Sequence, residues 1–173
     1  IQKIIGKTSV ADPYAYVFHP GTTNFSPNER NAGLMRLCDT ATRLAKSTDK
    51  AICIENMVSG NLLSRTEHLE ELIENSEGVK IVLDINHLLL DDCADTIRKL
   101  GKSIATLHVS DCDLVKEKHD LPGLGKIDWN SVLSALESVG YEGVFNYEVL
   151  EKYTLEEIKE NYENLIKAYY LSK

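Results

Sequence analysis

Lys80-Ile81-Val82-Leu83-Asp84-Ile85-Asn86-His87 decides the fold. Its first four residues form a short apolar run with β-branched members, the pattern of a strand covered on both faces. The run ends on a carboxylate, and a histidine follows three residues later. The same plan repeats outward in both directions. Towards the N-terminus stand Ala51-Ile52-Cys53-Ile54 and Tyr14-Ala15-Tyr16-Val17-Phe18; towards the C-terminus stand Ile104-Ala105-Thr106-Leu107 and Gly143-Val144-Phe145-Asn146-Tyr147.

Between these runs the apolar spacing becomes helical. Ser26-Pro27-Asn28-Glu29 reads as a helix start, with Ser as cap, Pro in the first helical position and Glu closing a capping box. Leu34, Leu37, Ala41, Leu44 and Ala45 then follow at helical spacing. Further helices are expected over Glu67–Asn75, over Asp91–Leu100, from Asp128 through Val132, Leu133, Leu136 and Val139, and from Leu155 to Tyr169. Ile1 to Lys7 reads as the tail of another. Five alternations of strand and helix predict βα units and a parallel sheet. No G-x-G-x-x-G or P-loop pattern follows any strand, which argues against a nucleotide-binding open sheet.

The 173 residues suffice for one domain with a core, and 43% hydrophobic with 27% charged residues is the balance of a soluble globular protein. No apolar run is long enough for a membrane span. The net charge of −8 and the lack of a basic stripe argue against nucleic acid as a partner. Cys38, Cys53, Cys93 and Cys112 form no C-x-x-C pair and sit in or beside apolar elements, as expected of buried, reduced cysteines in a cytoplasmic protein.

Polar residues fall at one place in each unit, the C-terminal end of the strand. His19 follows the first, Glu55 ends the second, Asp84 the third with His87 three residues on, His108 the fourth with Asp111 three residues on, and Glu148 the fifth. A single carboxylate after a strand is often only the cap of the next helix. Five consecutive strand ends carrying His, Glu, Asp, His and Glu form a constellation. In a (β/α)₈ barrel they converge on one mouth. Carboxylates gathered there repel one another unless a cation neutralises them. The set is hard and oxygen-rich, and suits one divalent ion without choosing among Mn, Mg, Co and Zn.

The segments His19-Pro20-Gly21, Ile54-Glu55-Asn56, Leu83-Asp84-Ile85-Asn86-His87, Leu107-His108-Val109-Ser110-Asp111, Leu121-Pro122-Gly123-Leu124-Gly125-Lys126-Ile127-Asp128-Trp129 and Phe145-Asn146-Tyr147-Glu148-Val149 resemble those of the xylose-isomerase-like barrel superfamily. That group includes sugar-phosphate isomerase/epimerase-like proteins, ketose 3-epimerases and endonuclease IV. The resemblance implies an α/β fold, a parallel (β/α)₈ TIM-type barrel with about five βα units present and its N-terminal strands absent. Residues 1–173 would be a single domain, the C-terminal portion of that barrel. The strands at Tyr14 and Gly143 would be its two edges. The missing strands would come from the same gene product or, by exchange, from a partner chain. The resemblance also implies Glu55, Asp84, His108 and Glu148 as metal ligands. His87 matches the second residue of the family's D-x-x-H motif, and His119 the histidine before its G-x-G loop. Leu124 stands where the family usually has an acidic residue. No arginine occurs from Val109 to Val115, where ketose 3-epimerases carry one.

The implied function is a divalent-metal-dependent isomerase or epimerase of a sugar or sugar phosphate. Glu55 and Glu148 would move a proton alpha to a carbonyl through an enediolate, while His87, His119 and His19 contact substrate. The partner is then a small sugar, and assembly into homo-oligomers is left open. The alternative is an endonuclease IV-like phosphodiesterase acting on abasic DNA, with His19, His87, Glu117 and His119 as further ligands. A third reading is a barrel without catalytic activity.

Overall fold

The computed structural model describes residues 1–21 and 27–173. Along the chain run α1 (Gln2–Thr8), β1 (Ala15–Phe18), α2 (Pro27–Ala45), β2 (Ala51–Glu55), α3 (Thr66–Glu74), β3 (Val79–Asp84), α4 (Cys93–Leu100), β4 (Ile104–Val109), α5 (Trp129–Ser138), β5 (Val144–Tyr147) and α6 (Leu155–Leu171). The strands form one parallel sheet in chain order, β1-β2-β3-β4-β5. The sheet curls into a partial TIM barrel. The hydroxyl of Tyr14, just ahead of β1, donates to the carbonyl of Ala105 in β4 at 3.4 Å. β1 and β5 are the two edges and do not pair with each other.

The apolar runs become strands because both of their faces are covered. Ile52, Cys53 and Ile54 in β2 and Ile81, Val82 and Leu83 in β3 are all buried. Each such side chain contributes roughly 1.5–3 kcal/mol relative to an exposed one. The edges differ: Val17 and Val144 are exposed. Helices α2 to α6 pack outside the sheet through residues such as Leu34, Leu69, Leu72, Ile97, Leu133 and Tyr169. On the β1 side, Ile5 of α1 joins Leu44 and Ile52 in a smaller cluster.

The strands run further than their apolar residues. Glu55 and Asp84 are the last residues of β2 and β3, and His108 lies within β4, in register with Asp84. Helix starts follow local capping. Asp92 accepts from Asp95 N–H at 2.8 Å and Asp128 from Ser131 N–H at 3.1 Å, while Thr154 and Glu157 close a capping box. Helix α4 therefore begins at Cys93 rather than at Asp91. The Asp91 carboxylate turns away to cap α3, accepting from the Thr66 amide and, at 2.9 Å, from its hydroxyl. The cap expected at Ser26 lies outside the described residues. Among the described residues, no helix is long and apolar enough to cross a membrane.

Candidate metal centre

Parallel pairing brings the strand ends to one side. Glu55, Asp84, His108 and Glu148 each offer one ligand atom, and these atoms lie within 4.8 Å of one another. His108 Nδ1 is the hub, 3.0 Å from Glu55 Oε1 and 2.8 Å from Glu148 Oε2. Asp84 Oδ1 accepts from the Asn86 amide at 2.7 Å. Asp84 Oδ2 is buried and has no hydrogen-bond partner among the described residues. His19 stands at the rim, its Nε2 3.2 Å from Glu55 Oε2.

The electrostatics follow from crowding. Burial pushes the Asp84 carboxyl up to about 6, helped by the nearby Glu55 and Glu148 charges and opposed by His87. For His108, burial alone would favour the neutral ring; hydrogen bonds to Glu148 and Glu55 overcome it and raise the imidazole to about 10. The same bond from His108 holds Glu148 below its ordinary value. A protonated imidazole thus supplies the positive charge between two carboxylates. Three carboxylates, one imidazole and an orphaned buried carboxylate oxygen fit a divalent cation.

A second group adjoins the first. His87, Glu117 and His119 also offer ligand atoms within 4.8 Å of one another. His87 Nδ1 donates to the Asn56 carbonyl at 2.8 Å, which turns Nε2 towards Asp84 Oδ2 at 3.5 Å and Glu117 Oε1 at 3.4 Å. His119 Nδ1 donates to the Glu148 carbonyl at 2.8 Å, while its Nε2 meets Glu117. The two rings are edge to face with centroids 6.4 Å apart. Burial opposes charge on both rings, yet both are raised: His87 chiefly by Asp84, His119 by the Glu148 carbonyl and Glu117.

Asp111 does not face this mouth. It is fully buried and accepts from the amides of Cys112, Gly123 and Ile127 and from Trp129 Nε1 at 2.7–3.2 Å. This gathers the loop that carries Glu117 and His119. Gly123 takes φ +89°, and a Cβ on Gly125 would lie 2.2 Å from Asp111 Oδ1. The G-x-G pattern is thereby accounted for by packing, with Leu124 exposed between the two glycines. Sequence reasoning quoted Asn56 within the Ile54-Glu55-Asn56 segment but gave it no role.

Residues 10–168 match the family model described as xylose isomerase-like TIM barrel, and the chain belongs to that family. An uncharacterised protein of Methanocaldococcus jannaschii is 28% identical over 130 residues, covering 74% of this chain and 52% of that protein. A D-psicose 3-epimerase of Enterocloster bolteae is 26% identical over 136 residues, covering 75% and 44%. The chain thus spans about half the length of these curated relatives. Among solved structures, a D-tagatose 3-epimerase-like protein superposes with TM-score 0.82 at 24% identity, over 99% of this chain and 69% of that one. A 3-keto-D-glucoside 4-epimerase from E. coli gives TM-score 0.77 at 16% identity, over 96% and 68%. These likenesses carry the fold.

Proposed function

We propose that this member of the xylose isomerase-like TIM barrel family is the C-terminal portion of a divalent-metal-dependent isomerase or epimerase acting on a sugar or sugar phosphate. Glu55, Asp84, His108 and Glu148 would hold one ion, Mn, Mg, Co or Zn. When bound, the metal polarises a substrate carbonyl and its neighbouring hydroxyl and stabilises negative charge that develops there. The observation that carries the reading is that these four side chains, from the ends of β2, β3 and β4 and from just past β5, bring their ligand atoms within 4.8 Å of one another; the epimerases among the relatives support it.

Glu55 and Glu148 reach the site from β2 and from just past β5, on two sides of His108. One removes a proton alpha to the carbonyl and the other returns it, so that the substrate passes through an enediolate. Glu148, depressed by His108, is ionised at neutral pH and can accept a proton. His87, held by the Asn56 carbonyl, orients a substrate hydroxyl, and His119 and His19 line the approach. The test is incubation of the Mn²⁺-loaded chain with a panel of ketoses in D₂O. One deuterium at the carbon next to the carbonyl, lost in Glu55→Gln and Glu148→Gln, is the expected result. No Mn²⁺ binding together with no deuterium uptake on any ketose sinks the reading.

The adjoining His87–Glu117–His119 group favours a second reading, a phosphodiesterase of the endonuclease IV type with more than one metal. Cleavage of a duplex containing one abasic site, without deuterium uptake on the sugars, would select it.

A further inference from the structure

We infer that Asn56 is a positioning residue that sets the spacing between the β2 and β3 ligands; this rests on the reading of Glu55, Asp84, His108 and Glu148 as a metal centre. The β2–β3 ladder stops at the pair Glu55 and Val82. Asp84, two residues further, needs a partner for its peptide on the β2 side. The Asn56 side chain provides it. Its Nδ2 donates to the Asp84 carbonyl at 2.9 Å, and its Oδ1 accepts from the Asp84 amide at 2.7 Å. A primary amide carries a donor and an acceptor in one plane, as a strand's own peptides do between them, so the side chain continues the sheet where the backbone has left it. Aspartate has no donor, serine offers a single atom, and glutamine is one methylene too long.

The same residue holds a third group. The Asn56 carbonyl receives His87 Nδ1–H and so fixes which ring nitrogen faces Asp84 and Glu117. Asn56 follows Glu55 directly, and it is buried together with Glu55, Asp84 and His87. One amino acid therefore ties the backbone of Asp84 and the His87 imidazole to the end of β2, next to Glu55. Partners of this kind orient ligands, and their loss weakens metal affinity by about 10- to 100-fold.

The experiment is a Mn²⁺ titration of the native chain, Asn56→Ala, Asn56→Ser, Glu55→Gln and a stability control, Leu72→Ala, which opens a cavity in the helical layer away from the site. Melting temperatures are measured alongside. The expected result is a Kd raised about 10- to 100-fold in Asn56→Ala, less in Asn56→Ser, and unchanged in Leu72→Ala at a similar loss of melting temperature. ¹⁵N NMR of His87 should show Nδ1–H in the native chain and a mixed tautomer in Asn56→Ala. A Kd in Asn56→Ala within twofold of native, or no weaker than in Leu72→Ala, overturns the inference. If the native chain and Glu55→Gln bind Mn²⁺ alike, the four-ligand reading itself falls and takes the inference with it.

Discussion

Glu55 and Asp84 close the inner strands β2 and β3, and their side chains are 2% and 0% exposed, whereas Glu148 follows the outer strand β5 and is 47% exposed. The inner pair is set by packing and by the Asn56 amide. Glu148 has a strand on one side only. What steadies it is the loop after β4: His119 donates to its carbonyl, the Leu150 amide donates to the His119 carbonyl, and Asp120 accepts from Lys152 and Tyr153. The inner half of the site is thus rigid by burial, and the outer half by a few polar ties. Burial raises Asp84, whereas the hydrogen bond from His108 lowers Glu148.

The largest expected effect bears on chemistry. Glu55→Gln and Glu148→Gln should each reduce turnover by about 10²–10⁴-fold, read as the rate of deuterium uptake on the best ketose. They should part in stability: Glu148→Gln, at a half-exposed side chain, should cost less than Glu55→Gln, at a buried one, in urea unfolding. Equal destabilisation by both would erase the contrast between the two halves. For packing, Leu83→Ala in β3 should cost about 2–5 kcal/mol and Val144→Ala in β5 less than about 0.5 kcal/mol. A large loss for Val144 would mean that the β5 edge is covered.

Acid should sharpen the comparison. Asp84 sits near 6 when folded and near its ordinary value when unfolded, so its protonated form stabilises the metal-free fold at low pH, and that contribution fades as pH rises through about 6. A divalent ion needs the ionised Asp84 carboxylate and a deprotonated His108 nitrogen, which reverses the sign: Mn²⁺ affinity should climb with pH, about tenfold per unit for each proton displaced, through about 6 for Asp84 and on towards about 10 for His108. Titration calorimetry in two buffers of different ionisation enthalpy counts the protons, and a pH-independent Kd would contradict the assignment. An effect on stability alone belongs to α6, whose Tyr162 meets Phe145 of β5 with ring centroids 5.9 Å apart. Thr154→Ala removes its capping box and should cost about 1 kcal/mol in chemical denaturation, with Mn²⁺ affinity unchanged.

Most of the fold was legible because βα alternation leaves a strong pattern: apolar runs of strand length, then helical spacing. All five strands were found, with ends displaced by a residue or two, since Glu55, Asp84 and His108 stay in the ladder despite their polarity. The gathering of four strand-end residues was legible for the same reason, the period of the fold. Asn56 was not, because an amide lending a side chain to a backbone ladder has no composition signal. Nor was the role of Asp111. A carboxylate three residues past His108 reads as part of a mouth, and only the path of the next sixteen or so residues turns it inward. The α3 cap was hidden too, since Asp91 is close to Thr66 in space and far from it in sequence.

A methyl group at 125 would strike both the Asp111 carboxylate and the Cys112 carbonyl, so packing against the aspartate by itself requires glycine there. In a library screen the two positions should behave as one gene-level unit: variants at 125 should vanish from the expressed pool unless 111 changes with them. The G-x-G spelling would then be a mark of yield, and a poor guide to substrate.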